Sequence, residues 1–266
     1  MEIWWAFLIL GAVVGFVAGL LGVGGGAIMV PVLTSLFALL NFLPAHLLHM
    51  ALATSMASII LTSIASTRAH QQHKAVLWPV VRLMSAGIVL GTFSATFIAA
   101  QVPTVALAIF FSVFMAYVAL QMLLNIKPQP SRSLPGALGM TAVGVGIGGI
   151  SALVAIGGGS LTVPFLTWCN VRVQQAIATS AAIGLPIALS GSIGYALAGW
   201  DQVGLPQFSL GYIYLPAVLL ISAVSFFTAP LGAQLAHRLP VATLKKIFAL
   251  LLVGLSAKML HTVLGH

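Results

Sequence analysis

Residues 15–33, GFVAGLLGVGGGAIMVPVL, align without gaps to residues 148–166, GGISALVAIGGGSLTVPFL, at an offset of 133, half of the 266-residue chain. Eight of the nineteen positions are identical: Gly15/Gly148, Leu20/Leu153, Gly24/Gly157, Gly25/Gly158, Gly26/Gly159, Val30/Val163, Pro31/Pro164 and Leu33/Leu166. Three successive glycines between two apolar stretches, with a proline five residues after the last, do not describe a continuous helix. Each glycine lowers helix propensity by about 1 kcal/mol relative to alanine, and an interior proline by about 3 kcal/mol. Each stretch therefore predicts a helix that breaks at its glycines, and the duplication predicts two halves built alike. Further on, Ala53-Thr54-Ser55 answers Ala178-Thr179-Ser180, and Pro103 answers Pro240.

Working outward, the rest of the chain names the solvent of those broken helices. With 61% apolar residues, 5% charged and a mean hydropathy of +1.16, it has too few charged side chains to cover a soluble fold of this size. The partner this composition demands is the lipid bilayer. Ten Lys and Arg stand against only Glu2 and Asp201, a balance of +8 that in a soluble domain would point to nucleic acid. Here the basic residues fall between apolar runs, where cytoplasmic loops collect positive charge, so no nucleic-acid partner is expected. Cys169 is the only cysteine, which excludes intramolecular disulfides and Cys-rich metal sites. The N-terminus has no basic region ahead of its apolar run, which continues to about Leu21 and reads as a retained membrane segment.

Apolar stretches between polar or Gly/Pro breaks fall at about 3–22, 27–42, 46–66, 75–100 and 103–125, and again at about 136–156, 160–170, 173–199, 208–236 and 239–262. An all-α polytopic membrane protein follows, because a lipid-exposed open sheet would leave backbone groups unsatisfied. Residues 1–126 form a first transmembrane repeat, 127–135 a cytoplasmic linker and 136–266 a second repeat, with about 8–10 membrane segments in all. The second segment of each repeat is short, and whether it spans or re-enters is left open. In the first half the gap after the third segment carries Arg68, His70, His73 and Lys74, with Arg82 nearby. The corresponding gap in the second half carries Asp201 and no Lys or Arg, whereas the following gap carries Arg238, then Lys245 and Lys246. The positive-inside rule therefore predicts inverted repeats, with Lys127, Arg132 and, for fully crossing hairpins, Arg172 inside; Lys258 near an outside C-terminus runs against the scheme.

The glycine loops are the first candidate site. Broken backbone within a membrane is tolerated against protein or a watered cavity, and freed N–H groups at a helix N-terminus attract anions. Gly24, Gly25, Gly26 and Pro31 in one half, and Gly157, Gly158, Gly159 and Pro164 in the other, make a pair that could converge near the midplane, as in repeat-built transporters. The competing role for such glycines is close helix packing. Thr54, Ser55, Thr179 and Ser180, with Ser160 and Thr162 beside the second loop, offer hydroxyl donors to an oxyanion; hydroxyls in apolar helices also bond their own backbone. No Lys-Ser or Lys-Thr follows either glycine cluster, so a nucleotide-binding loop is excluded, and no hydrolase motif or carboxylate pair marks an enzyme. His46-x-x-His49 and His70-x-x-His73 have i, i+3 metal-ligand spacing but no carboxylate or cysteine nearby, so no metal site is assigned and interfacial histidines are the expectation. Arg68, Arg172 and Arg238 read as positive-inside anchors. No Asp or Glu lies in an apolar segment. Export of an anion from a cell that is negative inside then needs no coupling ion, and His49 and His70 are the candidate proton carriers if one is used.

With its two glycine loops, an Ala-Thr-Ser in each third segment and the STRAHQQHKAV loop at 66–76, the chain resembles the TauE/SafE family of sulfite exporters, also called the toluene sulfonate uptake permease family. The resemblance covers nearly the whole chain. Ala155 stands where the first loop has Gly22, a departure that bears on the local symmetry of the site. What the resemblance implies is a multi-pass carrier of the cell inner membrane for small sulfur oxyanions or organosulfonates, such as sulfite, thiosulfate or sulfoacetate. No cofactor is implied, and the expected activity is export by alternating access. A divalent metal permease, a permease for another anion and an anion channel are the alternatives; oligomeric state stays open.

Overall fold

The computed structural model describes residues 3–22, 24–124, 132–236 and 241–264, the last in backbone alone as far as 247. The chain is helical almost throughout. The first half runs α1 (Ile3–Leu21), α2 (Gly26–Leu39), a 3₁₀ turn (Pro44–His46), α3 (Leu47–Gln72), α4 (Trp78–Gln101) and α5 (Thr104–Leu123). The second runs α6 (Ala137–Val154), α7 (Gly159–Trp168), α8 (Val173–Ala198), α9 (Leu215–Ala236) and α10 (Val241–Leu264). Among the described residues, α1, α3, α4, α5, α6, α8 and α9 are long and apolar enough to cross a membrane. It is a multi-pass, all-α membrane protein.

Three boundaries differ from the sequence reading. Residues 208–214 do not open α9; they form a hairpin in which strands β1 (Ser209–Leu210) and β2 (Ile213–Tyr214) pair antiparallel. Gly211 makes that turn at φ 54° and leaves no room for a Cβ against the Ala196 carbonyl of α8. α3 runs past residue 66 to Gln72, so Arg68 and His70 lie on the helix and the chain turns at His73–Lys74. Pro31 and Pro164 sit inside α2 and α7. They do not break those helices, but their rings supply no N–H to the carbonyls four residues earlier, on Ala27 and Ser160. Lys127, Arg238 and Pro240 lie outside the described residues, and so do the side chains of Lys245 and Lys246.

Packing follows the repeat. α1 lies along α9, and α6, the repeat partner of α1, lies along α4. α3 packs on α9 as α8 packs on α4, and α3 and α8 meet at the centre. Those two are the buried helices: 78% of the apolar window of each is buried, against 33–44% for the other five spans. Between lipid-facing helices no hydrophobic force acts, so close backbone approach by small residues holds the contacts. At Gly11 and Gly15 an added Cβ would fall 2.6 Å from the carbonyls of Ile221 and Ser225 on α9. At Gly144 and Gly148, which lie 133 residues later, it would fall 2.5 Å from the carbonyls of Met84 and Ile88 on α4. The packing role of glycine is therefore met in α1 and α6 as well as in the triple-glycine loops.

Side chains of α3 and α8 stitch these layers at matching positions. The Thr54 hydroxyl accepts the backbone N–H of Tyr214 at 3.0 Å, just before α9, and Thr179 accepts that of Leu77 at 3.0 Å, just before α4. His70 Nε2–H donates to the Gly19 carbonyl at 3.0 Å, and the Tyr195 hydroxyl donates to the Ala152 carbonyl at 2.8 Å. All four side chains are buried. Replacing either threonine by valine keeps the shape and orphans a buried N–H, a loss of about 1–3 kcal/mol. Thr54→Val and Thr179→Val are each expected to lower the detergent-solubilised melting temperature, whereas Thr262→Val on the exposed face of α10 leaves it unchanged.

Candidate substrate site

The two glycine loops meet in the middle of the bundle. α1 stops at Leu21 and α2 restarts at Gly26; α6 stops at Val154 and α7 restarts at Gly159. The residues that cap the restarting helices, Gly25 (φ 80°, ψ −7°) and Gly158 (φ 84°, ψ −19°), share one left-handed conformation. Ala155 takes φ 47°, ψ 33°, in the same region as Gly22 at φ 66°, so the second loop opens with the same left-handed turn despite its Cβ; the loops then differ at Gly24, which has φ 75°, and Gly157, which has no positive φ. A left-handed alanine costs about 1–2 kcal/mol, which the buried packing around it must offset.

Contact between the loops is backbone on backbone. A Cβ on Gly24 would lie 2.7 Å from Gly157 Cα, and one on Gly26 would run into the Ala155 carbonyl and come within 3.2 Å of Ser55 Oγ. Gly24, Gly25, Gly26, Gly157, Gly158 and Gly159 are all buried. The first N–H groups of α2 and α7 have no acceptor within their own helices, and the helix dipoles add positive potential at the same ends. Such an arrangement suits a small anion: it offers donors that need no side chain and no fixed cation.

The hydroxyls expected at the site divide into two groups. Ser180 Oγ donates to the Gly22 carbonyl at 3.0 Å and ties α8 to the first loop. Ser55, its counterpart on α3, lies beside Gly26 and Ala155 with no hydrogen-bond partner, as do Ser160 and Thr162 near the start of α7. All three are buried. Thr54 and Thr179 are instead spent on the backbone bonds described above, and Pro31 and Pro164 stand one and a half turns into their helices. Two residues absent from the sequence reading join the site. Ser63 on α3 and Gly184 on α8 face each other, so that a Cβ on Gly184 would come 2.6 Å from Ser63 Oγ and 3.2 Å from the Gly157 carbonyl. A glycine on a central helix and a serine two turns beyond Ser55 were the available signals.

Neither histidine is the interfacial side chain expected. His70 is fully buried against Gly19, far along α3 from Ser55. His49 is 4% exposed; its Nε2 lies 3.1 Å from both the Ala99 and Val102 carbonyls, which fixes the proton on that nitrogen, and its ring stacks on Tyr212. Nδ1 is 3.4 Å from the Thr104 hydroxyl, which itself donates to the Ala45 carbonyl. His49 lines a cleft of about 490 Å³ with His46, Gln101, Thr104, Gln202 and Tyr212, at the opposite end of α3 from His70. Among the described residues no three of His, Cys, Asp and Glu are grouped to hold a metal ion. Arg68 is exposed near the end of α3, Arg172 caps the start of α8, and Arg132 stacks over Trp168 at 5.0 Å, closing the described end of the linker onto α7.

Comparison with known proteins places this architecture. The chain is 39% identical over 254 residues to a "Probable membrane transporter protein" of Haemophilus influenzae, covering 95% of this chain and 96% of that one. It is 24% identical over 238 residues to a protein of the same description from Methanocaldococcus jannaschii, covering 87% and 86% of the two chains. Against "Probable membrane transporter protein YunE" of Bacillus subtilis the identity is 23% over 275 residues, covering 96% of each. No solved structure matches it. The family model "Sulfite exporter TauE/SafE" matches residues 7–259, so this multi-pass membrane transporter belongs to the sulfite exporter TauE/SafE family.

Proposed function

We propose that the protein exports a small sulfur-containing anion (sulfite, thiosulfate or an organosulfonate such as sulfoacetate) across the inner membrane by alternating access around the paired glycine loops. The observation that carries this reading is the abutment of Gly24 on Gly157, which sets two helix N-termini and the unpartnered hydroxyls of Ser55, Ser160 and Thr162 around one buried locus. An oxyanion leaving water must exchange hydration for fixed donors, and backbone N–H groups at helix ends supply them without ion pairing. The family's description adds sulfite export as the chemical class, and organosulfonates share its oxyanion group.

Alternating access further requires two halves that can exchange roles. The matched pairs α1/α9 with α6/α4, and α3/α9 with α8/α4, support a pseudo-twofold relation, and five helices per half support an inverted one. Single cysteines in a Cys169→Ala background test this. His73 and Asp201 are both exposed, whereas His70 is buried and unsuited to labelling. Position 73 is expected to label from the cytoplasm and position 201 from outside; labelling from one side would remove the inverted topology.

Flux of radiolabelled sulfite, thiosulfate, taurine and sulfoacetate in proteoliposomes tests the function itself. Gly25→Val and Gly158→Val place β-branched side chains at φ 80° and 84°, and each is expected to abolish flux, with membrane insertion verified separately. Ser160→Ala, a milder change on an unpartnered hydroxyl, is expected to raise KM by about fivefold, the equivalent of roughly 1 kcal/mol for one lost hydrogen bond. Unchanged KM in Ser160→Ala together with normal flux in both valine variants would remove the glycine loops from substrate binding.

A further inference from the structure

One row of side chains breaks the match between the halves. On α3 the positions spaced four apart are Thr54, Ser58, Thr62, Ser66 and His70, all at most 2% exposed. The row on α8 that starts and ends at the corresponding residues reads Thr179, Ile183, Ile187, Gly191 and Tyr195. Both rows begin with a threonine that accepts an N–H and end with a ring that donates to a carbonyl of α1 or α6. Between those ends the first is hydroxylated and the second apolar.

The facing helices differ in the same sense. On α9, Ser225 Oγ lies 2.7 Å from Thr62 Oγ1. Its counterpart on α4 is Ile88, as the glycine contacts show: Gly15 meets Ser225 where Gly148 meets Ile88. Packing alone is therefore met by isoleucines at this crossing, whereas on the hydroxylated side Ser58 and Thr62 bond the carbonyls four residues earlier and Ser225 that of Ser222, each keeping an oxygen lone pair to accept a further bond. Ser66 on α3 and Ser222 on α9 are at most 2% exposed and have no hydrogen-bond partner; Ser55, beside Gly26 at the glycine loop, has none either. Buried orphan hydroxyls of this kind are where ordered water is found. Side chains four apart on a helix stand about 5–6 Å from each other, a gap that one water closes with two hydrogen bonds of about 2.8 Å.

We propose that the seam between α3 and α9 holds a line of water and carries protons between the glycine-loop site and the exposed end of α3, coupling anion movement to proton movement. It rests on the glycine loops as the anion's binding place and replaces the expectation of uncoupled export. The row starts beside Ser55, next to Gly26, and ends about 24 Å along the helix at His70, three residues before exposed His73. Each hydroxyl or water accepts a proton on a lone pair and releases another to the next oxygen, so one proton enters, one leaves and no other bond changes. α1 and α9 contribute no titratable side chain over their described lengths; Arg68 on α3 and His73 and Lys74 just after it, all exposed, are the charged or titratable neighbours of His70 in sequence. The second half has buried hydroxyls at Thr92 on α4 and Ser151 on α6 but no continuous row on α8, so the continuous path opens toward one face only.

The test uses the full chain in proteoliposomes loaded with a pH-sensitive dye, with the voltage clamped by potassium and valinomycin. Thiosulfate is the probe, since as the anion of a strong acid it does not itself carry a proton through lipid. Thiosulfate flux is expected to shift lumen pH in the wild type and to be indifferent to replacing sodium by choline. Thr62→Val/Ser225→Ala, which imitates the apolar crossing of the other half, is expected to retain thiosulfate exchange at equal pH within twofold and to lose proton flux at least tenfold. Wild-type flux that leaves lumen pH unchanged, flux that requires sodium, or proton flux that persists in the variant would overturn the proposal. An experimental structure supplies an arm independent of substrate: a continuous line of water density along α3–α9 and no continuous line along α8–α4 is expected, and a dry α3–α9 seam overturns the proposal even if thiosulfate is carried. Failure of all four anions to move would instead count against the glycine-loop reading, and the water density would then decide the seam by itself.

Discussion

Two peptide segments can cross in the middle of an apolar bundle only where neither presents a side chain, and Gly24 against Gly157 is that crossing. Lipid cannot satisfy the N–H groups that a broken helix releases, so the break has to be enclosed by protein. Enclosure is supplied by α3 and α8, the two most buried helices, whose serines and glycines line both loops. Those helices are held in turn by Thr54, Thr179, His70 and Tyr195, which reach outward to the chain ahead of α9 and α4 and to the carbonyls of α1 and α6.

Much of this was legible in the sequence because a bilayer reduces the choices. An apolar run long enough to span has to be a helix, and a triple glycine has to interrupt it, so both loop breaks fell where they were expected. Boundaries failed where local polarity was mistaken for an end. Arg68 lies in a continuing helix because its long side chain reaches the exposed surface while the backbone stays hydrogen-bonded. The 208–214 hairpin was missed because its Phe, Leu, Ile and Tyr residues merge with α9 in composition, and only Gly211 marks the turn.

The candidate site was legible in its backbone and less so in its side chains. Glycine repetition reports where chains must approach, and both loops and their left-handed caps match that reading. A hydroxyl reports only a capacity to bond, and its partner is set by tertiary neighbours: Thr54 and Thr179 serve backbone N–H groups, Ser180 holds Gly22, and Ser55, with the same local sequence as Ser180, is left without a partner. His49 and His70 look alike on the page, yet one sits between carbonyls at the mouth of a cleft and the other braces α1. Ala155 shows the converse. A substitution that breaks the sequence symmetry leaves the left-handed conformation at that position intact, because alanine enters the left-handed region at a modest cost.

Symmetry of backbone with asymmetry of side chains is what a carrier of this design requires. If the halves were identical in chemistry as well as in path, the two faces would present the anion with equal surroundings, and nothing in the protein would relate its passage to a second gradient. Among the described residues, the hydrogen-bonded pair Thr62–Ser225 on α3 and α9 has isoleucines, Ile187 and Ile88, at the corresponding positions of α8 and α4, a change of polarity on both helices. Isoleucine at such a crossing gains dispersion contacts and strands no donor, so stability alone would select it in both halves. The second half keeps separate buried hydroxyls, such as Thr92 on α4 and Ser151 on α6, but on α8 no row of them runs at four-residue spacing as it does on α3. Under the proposed coupling, direction is set in α3 and α9, while the anion is held by the glycine backbone that both halves share.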